Sequence, residues 1–338
     1  MKNNSTKYLI LAVIVLAAIS YFVMLQDNKQ GGSKPMSDFA IENTDAIDKI
    51  IITESNRNKA ELELKNGEWM LNNEFKARLV NVELLLKTFR NIKVQTSVSN
   101  DMKKTVVANM ASRYKKVEIF ENGKLSKTYF VGSATKDHYG TYMLLEKNGR
   151  KSSEPYVMHI PGFNGFLESR FYTNENDWKY SGVFVYEPLA IKSIKVEHGE
   201  MPEESFLITQ EDKIVSLASI NGIKIEKLNN SLVENYVLIY EKIFFNKIAD
   251  FSSEKVDSIK AITPLYKIEV VDSNGDFKKV NFLRKKKDFV EIDEVTGEEI
   301  MYDENYLLGY YPKSKEIFVF QFFNLGNIFA KKSYFTSN

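Results

Sequence analysis

Apolar and polar positions alternate along residues 47–54 (Ile-Asp-Lys-Ile-Ile-Ile-Thr-Glu) and again along residues 191–198 (Ile-Lys-Ser-Ile-Lys-Val-Glu-His). A period of two is the signature of a half-buried β-strand. The elements that follow each run also match. A hairpin is predicted around Leu62, Leu64, Trp69 and Leu71 in the first copy and around Phe206, Ile208, Ile214 and Val215 in the second. A helix comes next in both, because Leu79, Val82, Leu85, Leu86, Phe89 and Ile92 recur at steps of three and four. Leu232, Val233, Tyr236, Val237, Tyr240 and Phe244 do the same behind Asn229 and Asn230, either of which can cap the helix. A shorter helix is introduced by Ser99 or Asn100 in one copy and by Ser252 or Ser253 in the other.

A second hairpin closes the match. Residues 114–120 lead to Asn122-Gly123, and residues 265–271 lead to Asn274-Gly275. Asn-Gly is the preferred pair for a tight primed turn, since both residues accept positive φ. Return strands are expected over residues 125–131 and 277–283, the next strands over 142–145 and 299–302, and closing strands over 156–160 and 317–320. The fold class that follows is α+β: two similar repeats of mainly antiparallel sheet, with helices on one face. The first repeat is expected over residues 39–172, a connector over 173–188, the second repeat over 189–323 and a C-terminal tail over 324–338. A doubly wound dinucleotide fold is disfavoured because hairpins, rather than helical crossovers, join most strands.

Ahead of the repeats, residues 8–25 form an uncharged run of eighteen residues preceded by Lys2 and Lys7. At 1.5 Å per residue such a run just spans the hydrocarbon layer, so residues 1–25 are expected to be a single transmembrane anchor. Cationic residues before it place that end in the cytoplasm and the bulk of the chain outside, as an inner-membrane protein with a periplasmic body. Residues 26–38, which open on Gln-Asp-Asn-Lys-Gln-Gly-Gly-Ser-Lys-Pro, read as a polar Gly/Ser/Pro tether. A cleavable signal peptide is the competing reading, because Ala18 and Ser20 have the spacing a signal peptidase accepts. The apolar run continues past that point through Leu25, where a mature terminus would turn polar.

Composition narrows the role. Lys plus Arg number 46 and Asp plus Glu 45, so the molecule as a whole lacks the electrostatic footprint of a nucleic-acid binder. Cysteine is absent, which removes disulfides, thiolate metal sites, thiol nucleophiles and a lipobox. The three histidines, at 138, 159 and 198, share no metal-binding spacing and read as surface or strand residues. No phosphate-binding glycine loop or nucleophile elbow occurs. No catalytic residue, metal or cofactor is therefore expected. The basic run Arg284, Lys285, Lys286 and Lys287 is most simply a hairpin tip, and secondarily a phosphate or headgroup contact.

Two aromatic stretches carry the candidate partner surface. Residues 154–184 contain Phe163, Phe166, Arg170, Phe171 and Trp178, and the tail contributes Phe322, Phe323 and Phe329. Such residues either seal a junction between repeats or form an interface, since aromatics cluster in both. Several motifs resemble a family of periplasmic proteins from Bacteroidota whose members carry a domain of unknown function. They are Trp69-Met70-Leu71-Asn72, Gly140-Thr141-Tyr142-Met143, the stretch from Pro155 through His159-Ile160-Pro161-Gly162 to Phe163, and Asp177-Trp178. The resemblance implies an accessory subunit beside the permease of a gliding-motility-type ABC transporter, acting by protein–protein interaction. The alternative expectation is a periplasmic enzyme or binding module for envelope glycan or lipid.

Overall fold

The structure, a computed structural model, describes residues 36–54, 58–211 and 214–336. They fall into two compact units: residues up to Glu74 together with Leu79–Asn174, and Phe75–Arg78 together with everything from Glu175 onward. The expected anchor at residues 1–25 and most of the tether lie outside the described residues. Among the described residues no helix is long and apolar enough to cross a membrane.

In the first unit the elements are β1 (Ile47–Glu54), β2 (Lys59–Lys65), β3 (Glu68–Leu71), α1 (Leu79–Asn91), β4 (Lys93–Ser97), α2 (Asn100–Ser112), β5 (Lys115–Glu121), β6 (Lys124–Ala134), β7 (Thr141–Lys147) and β8 (Tyr156–His159). The second unit has β9 (Ile191–His198), β10 (Phe206–Glu211), β11 (Ile214–Ser219), α3 (Asn230–Leu238), β12 (Lys247–Ile248), α4 (Ser253–Lys260), β13 (Tyr266–Asp272), β14 (Phe277–Lys286), β15 (Tyr302–Tyr310) and β16 (Phe318–Gln321). The sheets run through β3-β2-β1-β5-β6-β7-β8-β4 and β11-β10-β9-β13-β14-β15-β16-β12, one path of strands found twice, and the first sheet also carries the short strand Arg150–Lys151 beside β7. Register repeats as well. Ile50 and Ile52 face Ile119 and Val117, as Ile194 and Val196 face Val270 and Ile268. Both ladders shift at the same place, between Ile47 and Lys49 and between Ile191 and Ser193.

Side-chain alternation explains why each sheet needs two covers. On β14 and β15, Phe282 and Leu307 join the large core under α3, where Val233, Tyr236 and Val237 are buried. Their neighbours Leu283 and Leu308 point the other way and pack with Val256 and Ile259 of α4. The first unit repeats this, with Phe89 of α1 set edge-on to Tyr129 at 5.8 Å, and Val106 and Met110 of α2 packed on Leu144 and Val157. Helices therefore cover both faces, which corrects the one-face expectation: strands apolar on both sides cannot leave one side to water.

Local chemistry fixes the ends. Asn229 accepts a hydrogen bond from the Leu232 amide and caps α3, and Ser252 accepts from Lys255 to cap α4. α3 ends at Leu238 rather than continuing to Phe244, which lies in a short strand, Ile243–Phe244, paired with Gly182–Phe184. Asn122 and Gly123 both take positive φ, 52° and 74°, as a primed two-residue turn requires. The second copy differs. Only Gly275 has positive φ, 87°, and the Asp272 carboxylate accepts the amides of Asn274 and Asp276 in a turn one residue longer.

Candidate functional site

The aromatic residues singled out by sequence separate into core and surface. Phe171 and Trp178 are wholly buried, so they belong to cores and not to a partner surface. Phe171 packs on Phe89 in the first unit, and the Trp178 carbonyl receives the Arg78 amide in the second. Phe166 is half-buried beside the His138 ring at 6.0 Å. Phe163 remains exposed, with the Arg170 guanidinium 4.3 Å from its centroid. Arg170 in turn donates to Thr88 Oγ1 at 2.9 Å.

The tail is not a separate piece. Leu325, Ile328 and Phe335 are buried in the second unit's core, and Tyr236 donates its hydroxyl to the Ile328 carbonyl at 2.7 Å. Phe329 is half-buried, stacked on Tyr266 at 4.2 Å, and Phe322 stacks on it in turn at 6.1 Å. Phe323 alone of this group stands fully clear, 87% exposed. The part of the first stretch up to Phe171 and the tail are thus the same part of the repeat: after its last strand, each unit folds an aromatic segment back onto its own core, while Trp178 belongs to the second unit. The expected connector at 173–188 belongs, from Glu175 on, with the second unit, in which Ala77 bridges Lys179.

The place where the units differ most lies between the sixth and seventh strands of the repeat. In the first unit the link is the short turn at residues 135–140. In the second, the chain leaves β14 and builds a protruding ribbon, with hydrogen bonds from Lys287 N to Met301 O, Ile300 N to Glu291 O and Asp293 N to Glu298 O. Its tip is held by the Asp293 carboxylate, which accepts the Val295 and Thr296 amides, both at 2.8 Å, and those bonds hold its pKa below the ordinary carboxylate value. Phe289, Val290, Ile292 and Met301 are exposed along the ribbon, and Val295 at the tip is 94% exposed. Between them stand Glu294, Glu298 and Glu299, which form no ion pair among the described residues. The basic run 284–287 is therefore the base of the hairpin and not its tip.

Beside that base, a cleft of about 570 Å³ opens between α4 and β14. Its floor includes Ile259, Leu283 and Leu308, with Phe251 and Ile262 at the mouth and Lys255 and Lys286 on the rim. Arg284 makes a two-pronged ion pair with Glu200, at 2.8 and 2.9 Å. Lys285 pairs with Asp288 and Asp303, and Lys287 with Glu291.

The first unit has closed the corresponding place. Gly132 holds the strand position occupied in the second unit by Leu283. A Cβ on Gly132 would come within 2.7 Å of Met110 Cγ, so α2 lies directly on the strand. α2 has 13 residues and α4 only 8. α4 ends at Lys260 and Pro264 keeps Thr263 out of helical conformation, so this helix stops farther from β13 than α2 does from β5. Among the described residues, no group of three or more His, Asp or Glu side chains is placed to hold a metal ion. Comparison with family models, curated proteins and solved structures finds no match to this chain.

Proposed function

We propose that the chain is a membrane-tethered binding protein of the bacterial envelope that acts by protein–protein contact, and that the hairpin at residues 287–301 is where it meets its partner. One observation carries this reading. A scaffold present twice bears an exposed apolar ribbon in one copy and a minimal turn in the other, so folding of the repeat does not require the ribbon. Exposed Phe289, Val290, Ile292 and Val295 gathered on one projection suit a contact surface better than open water.

Charge selects the kind of partner. The unpaired glutamates around the apolar tip would be repelled by an anionic lipid surface and attracted to a protein groove with an apolar floor and a basic rim. The uncharged run at 8–25 supports a tether that keeps the body close to the inner membrane. The resemblance to Bacteroidota periplasmic proteins supports an ABC-type permease as the partner. The test is co-purification from native membranes in mild detergent, with residues 287–301 exchanged for the first unit's turn at 135–140. The intact chain should bring a membrane protein with it and the exchanged chain should not. Recovery of the intact chain alone at native expression overturns the reading.

A further inference from the structure

The cleft beside α4 is separate from the ribbon's exposed face and has its own chemistry. Its floor is aliphatic, and its volume of about 570 Å³ lies in the range of small-molecule sites. Its rim is cationic but not uniformly satisfied. Arg284, Lys285 and Lys287 each have a carboxylate partner, whereas Lys255 and Lys286 have none among the described residues. An apolar floor with two uncommitted ammonium groups at its edge is complementary to a ligand with an alkyl chain at one end and a negative charge at the other.

We propose that this cleft binds a single-chain anionic amphiphile, with the chain laid over Leu283, Leu308 and Ile259 and the carboxylate or phosphate head held by Lys255 and Lys286. Leu283 is decisive for the chain. Its side chain, buried against Val256 and Ile259 of α4, closes the bottom of the cleft, whereas Gly132 at the same position in the first unit lies flat under Met110. A free amphiphile, rather than a lipid held in a bilayer, is the occupant that fits. Glu294, Glu298 and Glu299 on the neighbouring ribbon oppose close approach of an anionic bilayer.

The test uses the full-length chain in nanodiscs of phosphatidylcholine, with diazirine-tagged dodecanoate, dodecyl phosphate and uncharged dodecanol as photo-crosslinking probes. Both anionic probes should label peptides containing Ile262 and Leu283, and the relative yields of carboxylate and phosphate identify the preferred head. Dodecanol should label them about tenfold less, the loss expected when charge-assisted contacts are missing. Lys255→Glu combined with Lys286→Glu should reduce anionic labelling to the dodecanol level. Both lysines are exposed, so the unfolding temperature should not change. Ile262→Trp, at an exposed position at the mouth, should block labelling of Leu283 by filling the entrance. Equal labelling by dodecanol, labelling spread over both units, or stronger labelling of these peptides by a bilayer-resident diacyl probe would overturn the assignment.

Discussion

His198 ends β9 almost completely buried, with Nε2 2.9 Å from the Ala330 carbonyl. A carbonyl only accepts, so Nε2 carries a proton, and Nδ1 is buried without a partner. Burial holds its pKa below the ordinary 6.5, against the opposing pull of the Ala330 carbonyl and of Glu204 and Glu203. The unfolded chain therefore takes up this proton at a higher pH than the folded chain. The stability His198 contributes is complete above 6.5 and is lost as pH falls from there through the lower, folded value. Thermal melts should show the second unit weakening as pH falls through 6.5 and below, and His198→Gln, which keeps a donor for Ala330, should flatten that slope. Lys127 poses the opposite problem, a buried cation. Its ammonium donates to the carbonyls of Asp38 at 2.7 Å and Ala40 at 2.6 Å, and pairs with the Asp38 carboxylate at 3.3 Å. Tyr129 adds its hydroxyl to the Phe39 carbonyl, so β6 clamps the lead-in to the first repeat. Lys127→Met leaves those acceptors without their donor and should cost about 2–4 kcal/mol in urea unfolding. Exchange of the Ile41 amide, which is bonded to Phe89 O, should speed up with it.

The closing segments show what an element's own sequence can and cannot reveal. Phe171 and Trp178 fill cores, so Phe171→Ala or Trp178→Ala should each destabilise by about 3–5 kcal/mol in denaturant titration. Phe323→Ala should change stability by less than about 0.5 kcal/mol, because its ring touches little. Composition alone could not separate these residues, since all three sit in similar aromatic runs. The repeat itself was legible because its strands are half-buried and write their period directly: Ile50 and Ile52, and Ile194 and Val196, mark the inward face of β1 and β9. β4 was not legible, since Lys93, Gln95, Thr96 and Ser97 are exposed on an edge strand with no apolar period to announce it. β15 begins only at Tyr302, because the alternation over residues 299–302 that suggests a strand belongs to the ribbon. The second cover on each sheet is hidden in the sequence for a related reason. Leu144, Val157, Leu308 and Val319 fall between inward residues and make near-continuous apolar runs, from which sidedness cannot be read. The cleft leaves no sequence trace beyond Pro264 and the basic run, because it arises from the length of one helix.

At the scale of the molecule, one path through the sheet is used twice and elaborated once. A net charge of +1 over 338 residues means that no global field selects a partner, so recognition rests on local features such as the acidic ribbon and the cationic rim. Local recognition of a membrane partner benefits from confinement, and an anchor at residues 8–25 would supply it by holding the body at high effective concentration near the bilayer. Retention of that segment is therefore the strongest demand the proposed function makes. Chain isolated from native membranes should have a mass that includes residues 1–25, should resist an alkaline carbonate wash, and should lose its body when protease is added to spheroplasts. A chain beginning at Tyr21 would instead leave the membrane in the wash. The ribbon's apolar side chains would then have to find a partner by diffusion, and exchanging residues 287–301 for the short turn would no longer alter what the protein brings with it from the membrane.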